Sequence, residues 1–156
     1  MDLFLEIFSP TGMNTIELET HSISIKTQGN CDIIDITSKA KELISKHGFT
    51  EGNIILFAGG STAGITTIEY EPGLLKDYPK FFDRIAPMNV NYEHDNTWHD
   101  GNGHSHIRAS IQGASLTVPF SNGSLLLGTW QQIIFIDFDN RPRRREITIQ
   151  ITGKKK

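Results

Sequence analysis

The sequence has a single cysteine, Cys31, and no apolar run approaching the ~18–20 residues that a membrane-spanning helix requires. One thiol cannot close an intrachain disulfide, so a disulfide-stapled secreted scaffold is excluded. An excess of positive charge is also missing: 15 Lys and Arg stand against 18 Asp and Glu, for a net charge of -3. Nucleic-acid and anionic-membrane footprints are usually strongly basic, so neither partner is expected. Lys154-Lys155-Lys156 is the only lysine run and reads as a solvated basic tail. The opening stretch Met1–Phe8 carries two acids and no basic n-region, which makes a poor signal peptide, and a cytoplasmic location is expected. What remains is a chain of 156 residues, 37% hydrophobic, enough for one domain with its own core. Its compositional oddity is histidine, because four of the six lie between positions 94 and 106.

Residues 1–20, with the turn-rich Ser9-Pro10-Thr11-Gly12, read as an N-terminal extension ahead of a domain over 21–153 and the tail 154–156. Ser22–Thr27 alternates polar and apolar side chains, the signature of a half-buried strand, and 31–36 follows as a second strand after Gln28-Gly29-Asn30. Thr37 or Ser38 caps a helix with Ala40, Leu43, Ile44 and His47 on one face, ended by Gly48. The apolar run 53–58 fits a strand covered on both faces, and 65–70 fits another after a glycine-rich loop. Pro72 opens a second helix, with Pro79 expected to kink or restart it. Residues 87–103 read as a long loop, and the last third as strands over 104–112, 115–119, 124–130, 132–138 and 146–151. The expectation is an α+β single domain with a large mixed or antiparallel β-sheet and two helices packed on it.

The histidine-rich stretch carries the chemistry. On a strand over 104–112, His104, His106, Arg108, Ser110 and Gln112 share one face. Two imidazoles at that spacing can share a divalent ion, with His94 or an aspartate from the loop as a third ligand and an open position for water or substrate. The competing readings are a metal-free acid/base or anion site and chance clustering of surface-loop histidines. Gly59-Gly60-Ser61-Thr62-Ala63-Gly64 offers backbone amides that can cradle a phosphate, although the ending of a P-loop is absent; a plain tight connection is the alternative. Glu69, just past that loop, is a candidate general base, against an exposed strand carboxylate. Gln131, inside an apolar run, is expected to reach a pocket, because a buried amide needs partners. Arg141, Arg143, Arg144 and Arg145 gather between two strands, either as a solvated turn or as an anion site. Cys31 has no local basic partner and reads as structural.

Asn91-Tyr92-Glu93-His94-Asp95, Ser105-His106-Ile107-Arg108-Ala109-Ser110 and Gly128-Thr129-Trp130-Gln131 resemble the signatures of the YjbQ-like family. Ser61–Ile65 and Pro142-Arg143-Arg144-Arg145 match as well, and agreement runs in order from His21 to Gly153. The resemblance implies an α+β fold assembling as a homotrimer, and some members are described as secondary thiamine-phosphate synthases. It places His94 and His106 on recurring histidines, Glu69 on a recurring carboxylate, Arg108 on a recurring base and Gln131 in a recurring signature. Many members carry a histidine where this chain has Gly60 and Ser61, and His99 and His104 are not general features. The expected site therefore has His94, His106, Glu69 and Asp95 as catalytic groups. Ser61, Thr62, Asn102, Arg108, Gln131, Arg143 and Arg144 are expected to bind the anion, and His94, His106 and His104 a zinc or magnesium ion. The expected activity is a metal-assisted transferase on a small phosphorylated metabolite. The alternatives are a metal-dependent hydrolase and a non-catalytic binder of an anionic metabolite.

Overall fold

The final strand organises the molecule. In the computed structural model, which describes residues 15–156, β8 (Arg143–Lys155) alternates inward Ile147, Ile149 and Ile151 with outward Arg144, Glu146 and Thr148. It lies between β1 (Glu17–Thr27) and β3 (Phe49–Ala58), and β5 (Ser115–Ser121) and the short β6 (Ser124–Leu125) extend the sheet beyond β3, every pair antiparallel. A second antiparallel sheet holds β2 (Asp32–Asp35), β7 (Gln132–Asp137) and β4 (Ala63–Ile68), with β7 in the middle. α1 (Thr37–Lys46) sends Ala40 and Ile44 into the core beside Ile54, Leu56 and Ile149.

β7 feeds two cores at once. Its Ile133 and Phe135 join the main cluster, while Ile134 and Ile136, with Phe138 beyond them, pack against Phe82 and Ala109 in a smaller one. Two helices cover that smaller cluster, α2 (Leu74–Ile85) and α4 (Gly103–Gln112). α4 lies so close to β4 that a Cβ on Gly64 would sit 2.5 Å from the Gln112 side chain. Only a residue without a side chain lets the two backbones approach this far.

The α+β architecture is as expected, with corrections in detail. Four helices, not two, are present among the described residues, and the antiparallel strands form two sheets. The expected strand over 104–112 is helix α4, because Asn102-Gly103 starts a helical turn and the segment satisfies a helical period equally well. Its buried set is Gly103, His104, Ser105, Arg108 and Ala109, and the isoleucines that suggested a core face, Ile107 and Ile111, point outward at 43% and 56% exposure. The expected long loop contains α3 (Glu93–Trp98), a helix too short to show periodicity but with Glu93 and Asp95 in its first turn, where the helix dipole favours acids. The strand expected over 124–130 ends at Leu125, and β3 alternates instead of being covered on both faces, leaving Phe57 46% exposed. α2 passes through Pro79 as one helix. Glu17–Thr20 belong to β1 and Lys154 and Lys155 to β8, because each long strand extends along the other; residues 1–14 of the expected extension lie outside the described residues. No helix among the described residues is long and apolar enough to cross a membrane.

Candidate functional site

The site is built where α3 meets the start of α4. Gly103 lets them touch, since a Cβ there would fall 2.4 Å from the Tyr92 Cβ. The Asp95 carboxylate accepts the Gly103 N–H at 2.9 Å and so caps α4, and Asp100 accepts the Asn102 N–H at 3.2 Å. These local bonds fix His94 and His106 side by side, their ring centroids 4.2 Å apart at 41°. His94 Nε2 stands 3.6 Å from Asp100 Oδ1, too far for a hydrogen bond, and is buried with no hydrogen-bond partner. His94, Asp95 and Asp100 each present a ligand atom, all within 4.8 Å of one another. An orphaned imidazole nitrogen among carboxylates suits a divalent cation, which supplies the partner that the protein does not.

Beside the histidines is a cleft of about 220 Å³ lined by Gly60, Ser61, Ala63, His106, Ala109 and Ser110. The loop after β3 is held by Thr62, whose hydroxyl donates to Asp139 at 3.0 Å and accepts from Arg145 at 2.8 Å. Arg145 forks onto Asp137 at 2.6 and 2.7 Å, and Asp137, fully buried, also accepts the Thr27 hydroxyl at 2.6 Å. A charge-assisted network of this kind holds the loop rigidly beside the cleft. Burial alone would push the Asp139 carboxyl up, but hydrogen bonds from Arg143 and Thr62, with the charges of Arg143 and Arg145, hold it below the usual carboxylate range.

Burial, and then the neighbouring His94, hold His106 below the usual imidazole range, so a lone pair is available at neutral pH. His104 is likewise held down, by burial and then by Arg108. The Ser105 hydroxyl donates to the Phe138 carbonyl at 2.6 Å and lies 3.1 Å from His104 Nε2. That order puts the His104 proton on Nε2 and leaves its buried, unpartnered Nδ1 as an acceptor.

The expected site residues divide. His106 and Ser61 line the cleft, His94 stacks against His106 with Asp95 beside it, and Thr62 and Arg143 join the polar network behind the cleft. His104 and His106 do not share a face as the strand reading required, because one intervening residue on a helix turns them ~200° apart. Arg108 is not free to meet an anion: it is 1% exposed, with Nε and Nη2 on the Ala86 carbonyl at 2.9 and 2.8 Å and Nη2 on Asp83 at 2.7 Å. Asn102 is buried, and its side-chain oxygen accepts the Asn140 N–H at 3.3 Å. Arg144 alternates to the outer face of β8 and bonds Ser24 at 2.9 Å. Gln131 is exposed, not buried, yet it does line a cavity, a separate one of about 440 Å³ shared with Asp35, Lys41 and Gln132 and away from the histidines. It accepts the Gly128 N–H at 2.8 Å and closes a turn beside exposed Trp130. Glu69 lies just past the end of β4, where Ile68 pairs with Gln132, while Ser61 and Thr62 lie just before its start, where Ala63 pairs with Asp137. Along six residues of strand those ends are roughly 17 Å apart.

Asp100, Asp137 and Asp139 were not named as site residues, and Arg145, expected with its neighbours at an anion, is instead spent on Asp137. Asp137-Phe138-Asp139 carried a legible signal, since two acids inside a buried apolar run demand a buried cation, and Arg145 supplies it.

Residues 21–154 match the family described as UPF0047 protein YjbQ-like. The chain is 36% identical over 139 residues to a UPF0047 protein of Methanothermobacter thermautotrophicus, covering 89% of this chain and 95% of that one. It is 37% identical over 134 residues to the UPF0047 protein YugU of Bacillus subtilis, covering 85% and 98%. Among solved structures, a YbjQ-like protein from Sulfolobus solfataricus superposes with TM-score 0.84 at 28% identity, over 90% of this chain and all (100%) of that one. A YjbQ/UPF0047 protein from Clostridium acetobutylicum gives 0.77 at 35% identity, over 84% and 98%.

Proposed function

This chain belongs to the YjbQ-like UPF0047 family, and from that premise we propose that its α3–α4 cleft is a metal-assisted transferase site of the thiamine-phosphate synthase type. The observation that carries the reading is the convergence of His94, Asp95 and Asp100 around an orphaned imidazole nitrogen, with His106 in contact and a small cleft alongside. His94, Asp95 and Asp100 would hold zinc or magnesium, with Asp95 also oriented by Gly103. A divalent ion bound there supplies charge neutralisation for a departing pyrophosphate. His106, kept neutral by burial, accepts or returns a proton within the cleft. The exposed Ser61 hydroxyl and the partly exposed Arg143 offer donors to a phosphate, and the Arg145 network fixes the loop that carries Ser61.

The assembly in this reading is a homotrimer. Trp98 and Trp130 are each 69% exposed, and Phe81, Ile85, Ile107 and Ile111 add uncovered apolar surface on α2 and α4, of the kind association covers. Association also offers a way to bring the Glu69–Gln131 end of one chain toward the cleft of another.

The test is condensation of a pyrimidine methyl pyrophosphate with a thiazole phosphate by the full-length protein. Metal removal and His106→Ala are each expected to lower the rate by about 100-fold or more, with the metal effect reversed on readdition. Unchanged rates in both would overturn the reading. Loss of the pyrophosphate donor at the same rate without the thiazole phosphate would assign hydrolysis instead. A monomer by light scattering would remove the trimer.

A further inference from the structure

A second histidine–carboxylate cluster lies on other elements and shares no residue with the cleft. Glu19 and His21 are two apart on β1 and so point the same way, inward with Ile23 and Ile25. His47 stands at the C-terminal end of α1, its backbone N–H still bonded to the Leu43 carbonyl at 3.1 Å. Glu19 Oε2 lies 2.9 Å from His21 Nε2 and 2.8 Å from His47 Nδ1, and the two rings are 4.1 Å apart at 46°. Two imidazoles thus aim their nitrogens at one carboxylate oxygen, and the three atoms are mutually within 4.8 Å. The other Glu19 oxygen takes the Lys155 ammonium, which also reaches Glu17 at 3.2 Å and lies 4.8 Å over the Phe49 ring.

We propose that Glu19, His21 and His47 form a second metal site, selective for a borderline transition ion, zinc above all. Two imidazole nitrogens and one carboxylate oxygen are a common zinc donor set with a fourth position open to water. Donors around tetrahedral zinc at ~2.0–2.1 Å stand roughly 3.3 Å apart, so the two Glu19–histidine distances of 2.9 and 2.8 Å open by only a few tenths of an ångström. Two nitrogen ligands disfavour magnesium and calcium, which prefer oxygen. Side-chain exposures of 20% and 26% for the histidines and 26% for Glu19 leave a path of entry. Two carboxylates face one ammonium, so negative charge remains to attract the cation. Lys155 is the built-in competitor: when the ion takes Glu19, the ammonium can rest on Glu17 alone.

The experiment uses the full-length chain carrying both His94→Ala and His106→Ala, stripped of metal and titrated with zinc or cobalt(II) alone. One zinc per chain is expected, with a visible cobalt band. His47→Gln should weaken binding by about 100-fold or more, and Lys155→Met should tighten it several-fold. Absence of zinc binding, or an affinity unmoved by His47→Gln, overturns the site whatever happens at the cleft. In the otherwise unaltered chain, zinc should shift the ring-nitrogen resonances of His21 and His47, which keeps the proposal testable if a variant fails to fold. Unmoved resonances there overturn it equally.

Discussion

At the α3–α4 end, His94 Nε2 is buried with no hydrogen-bond partner and no lysine or arginine closes on the carboxylates beside it among the described residues; at the β1–α1 end, both carboxylate oxygens of Glu19 are met, by two imidazoles and by the Lys155 ammonium. The side-chain types are the same, and the difference is in what has already been satisfied. An unsatisfied buried nitrogen costs folding free energy that a bound cation can return. A satisfied carboxylate must instead give up a partner, so the second cluster is gated by its own lysine. The cleft end also rests on a buried ion-pair network, whereas the β1–α1 end is a half-buried group reachable from solvent.

Removing the support of the cleft is the strongest way to break this contrast. Arg145→Met leaves Asp137 buried, at 0% exposure, without its bidentate partner. Breaking one side of a buried pair costs about 3–5 kcal/mol, which urea denaturation should read as a large fall in midpoint. A loss under about 1 kcal/mol would mean that the network does not hold the loop. Gly103→Ala comes next. The added Cβ would meet the Tyr92 Cβ at 2.4 Å, so α3 must move from α4 at a cost of about 1–3 kcal/mol. The expected consequence is selective: the His94–His106 contact loosens and metal affinity at the cleft falls, while zinc binding at Glu19, His21 and His47 is unchanged. Equal loss at both ends would show the effect to be global.

Much of the fold was legible because strands and buried runs obey short-range periodicity. The alternation of β8, the continuous burial of β7 and the Gly48 stop of α1 all follow from local pattern. The segment 103–112 was not, because histidine, serine and arginine are neutral between periods and its two isoleucines face outward, reversing the core assignment. His94, His106 and Ser61 could be named from their residue types and from the family signatures. Asp139 and Arg145 could not be joined to them, since strands distant in sequence bring them there, whereas Asp100 lies in the same histidine-rich stretch and only its approach to His94 needed the fold. Arg108 shows the converse: its recurrence suggested anion binding, yet its guanidinium is spent on Asp83 and the end of α2. The β1–α1 cluster was invisible for the same reason, because Glu19, His21, His47 and Lys155 meet only when β1, α1 and β8 come together.

The gentlest contrast is in proton linkage. His106 and His104 are held below the ordinary imidazole value of 6.5, chiefly by burial, so between that value and the folded one the unfolded chain binds more protons. Stability there rises with pH, is fully present above 6.5, and falls as the pH is lowered through the window. Glu19 is held below its ordinary 4.5, first by Lys155 against the opposing effect of desolvation and then by His21, so its contribution is present above 4.5 and is lost only as pH falls through the lower folded value. The two ends therefore fade in successive pH ranges. His106→Gln should flatten the urea-midpoint profile just below 6.5 and leave the range below 4.5 unchanged, and Glu19→Gln should do the reverse. A His106→Gln profile that still falls as steeply as the parent below 6.5 would place that loss entirely on His104, whose Nδ1 is the more deeply buried, and would leave His106 without the suppressed basicity that its role in the cleft requires.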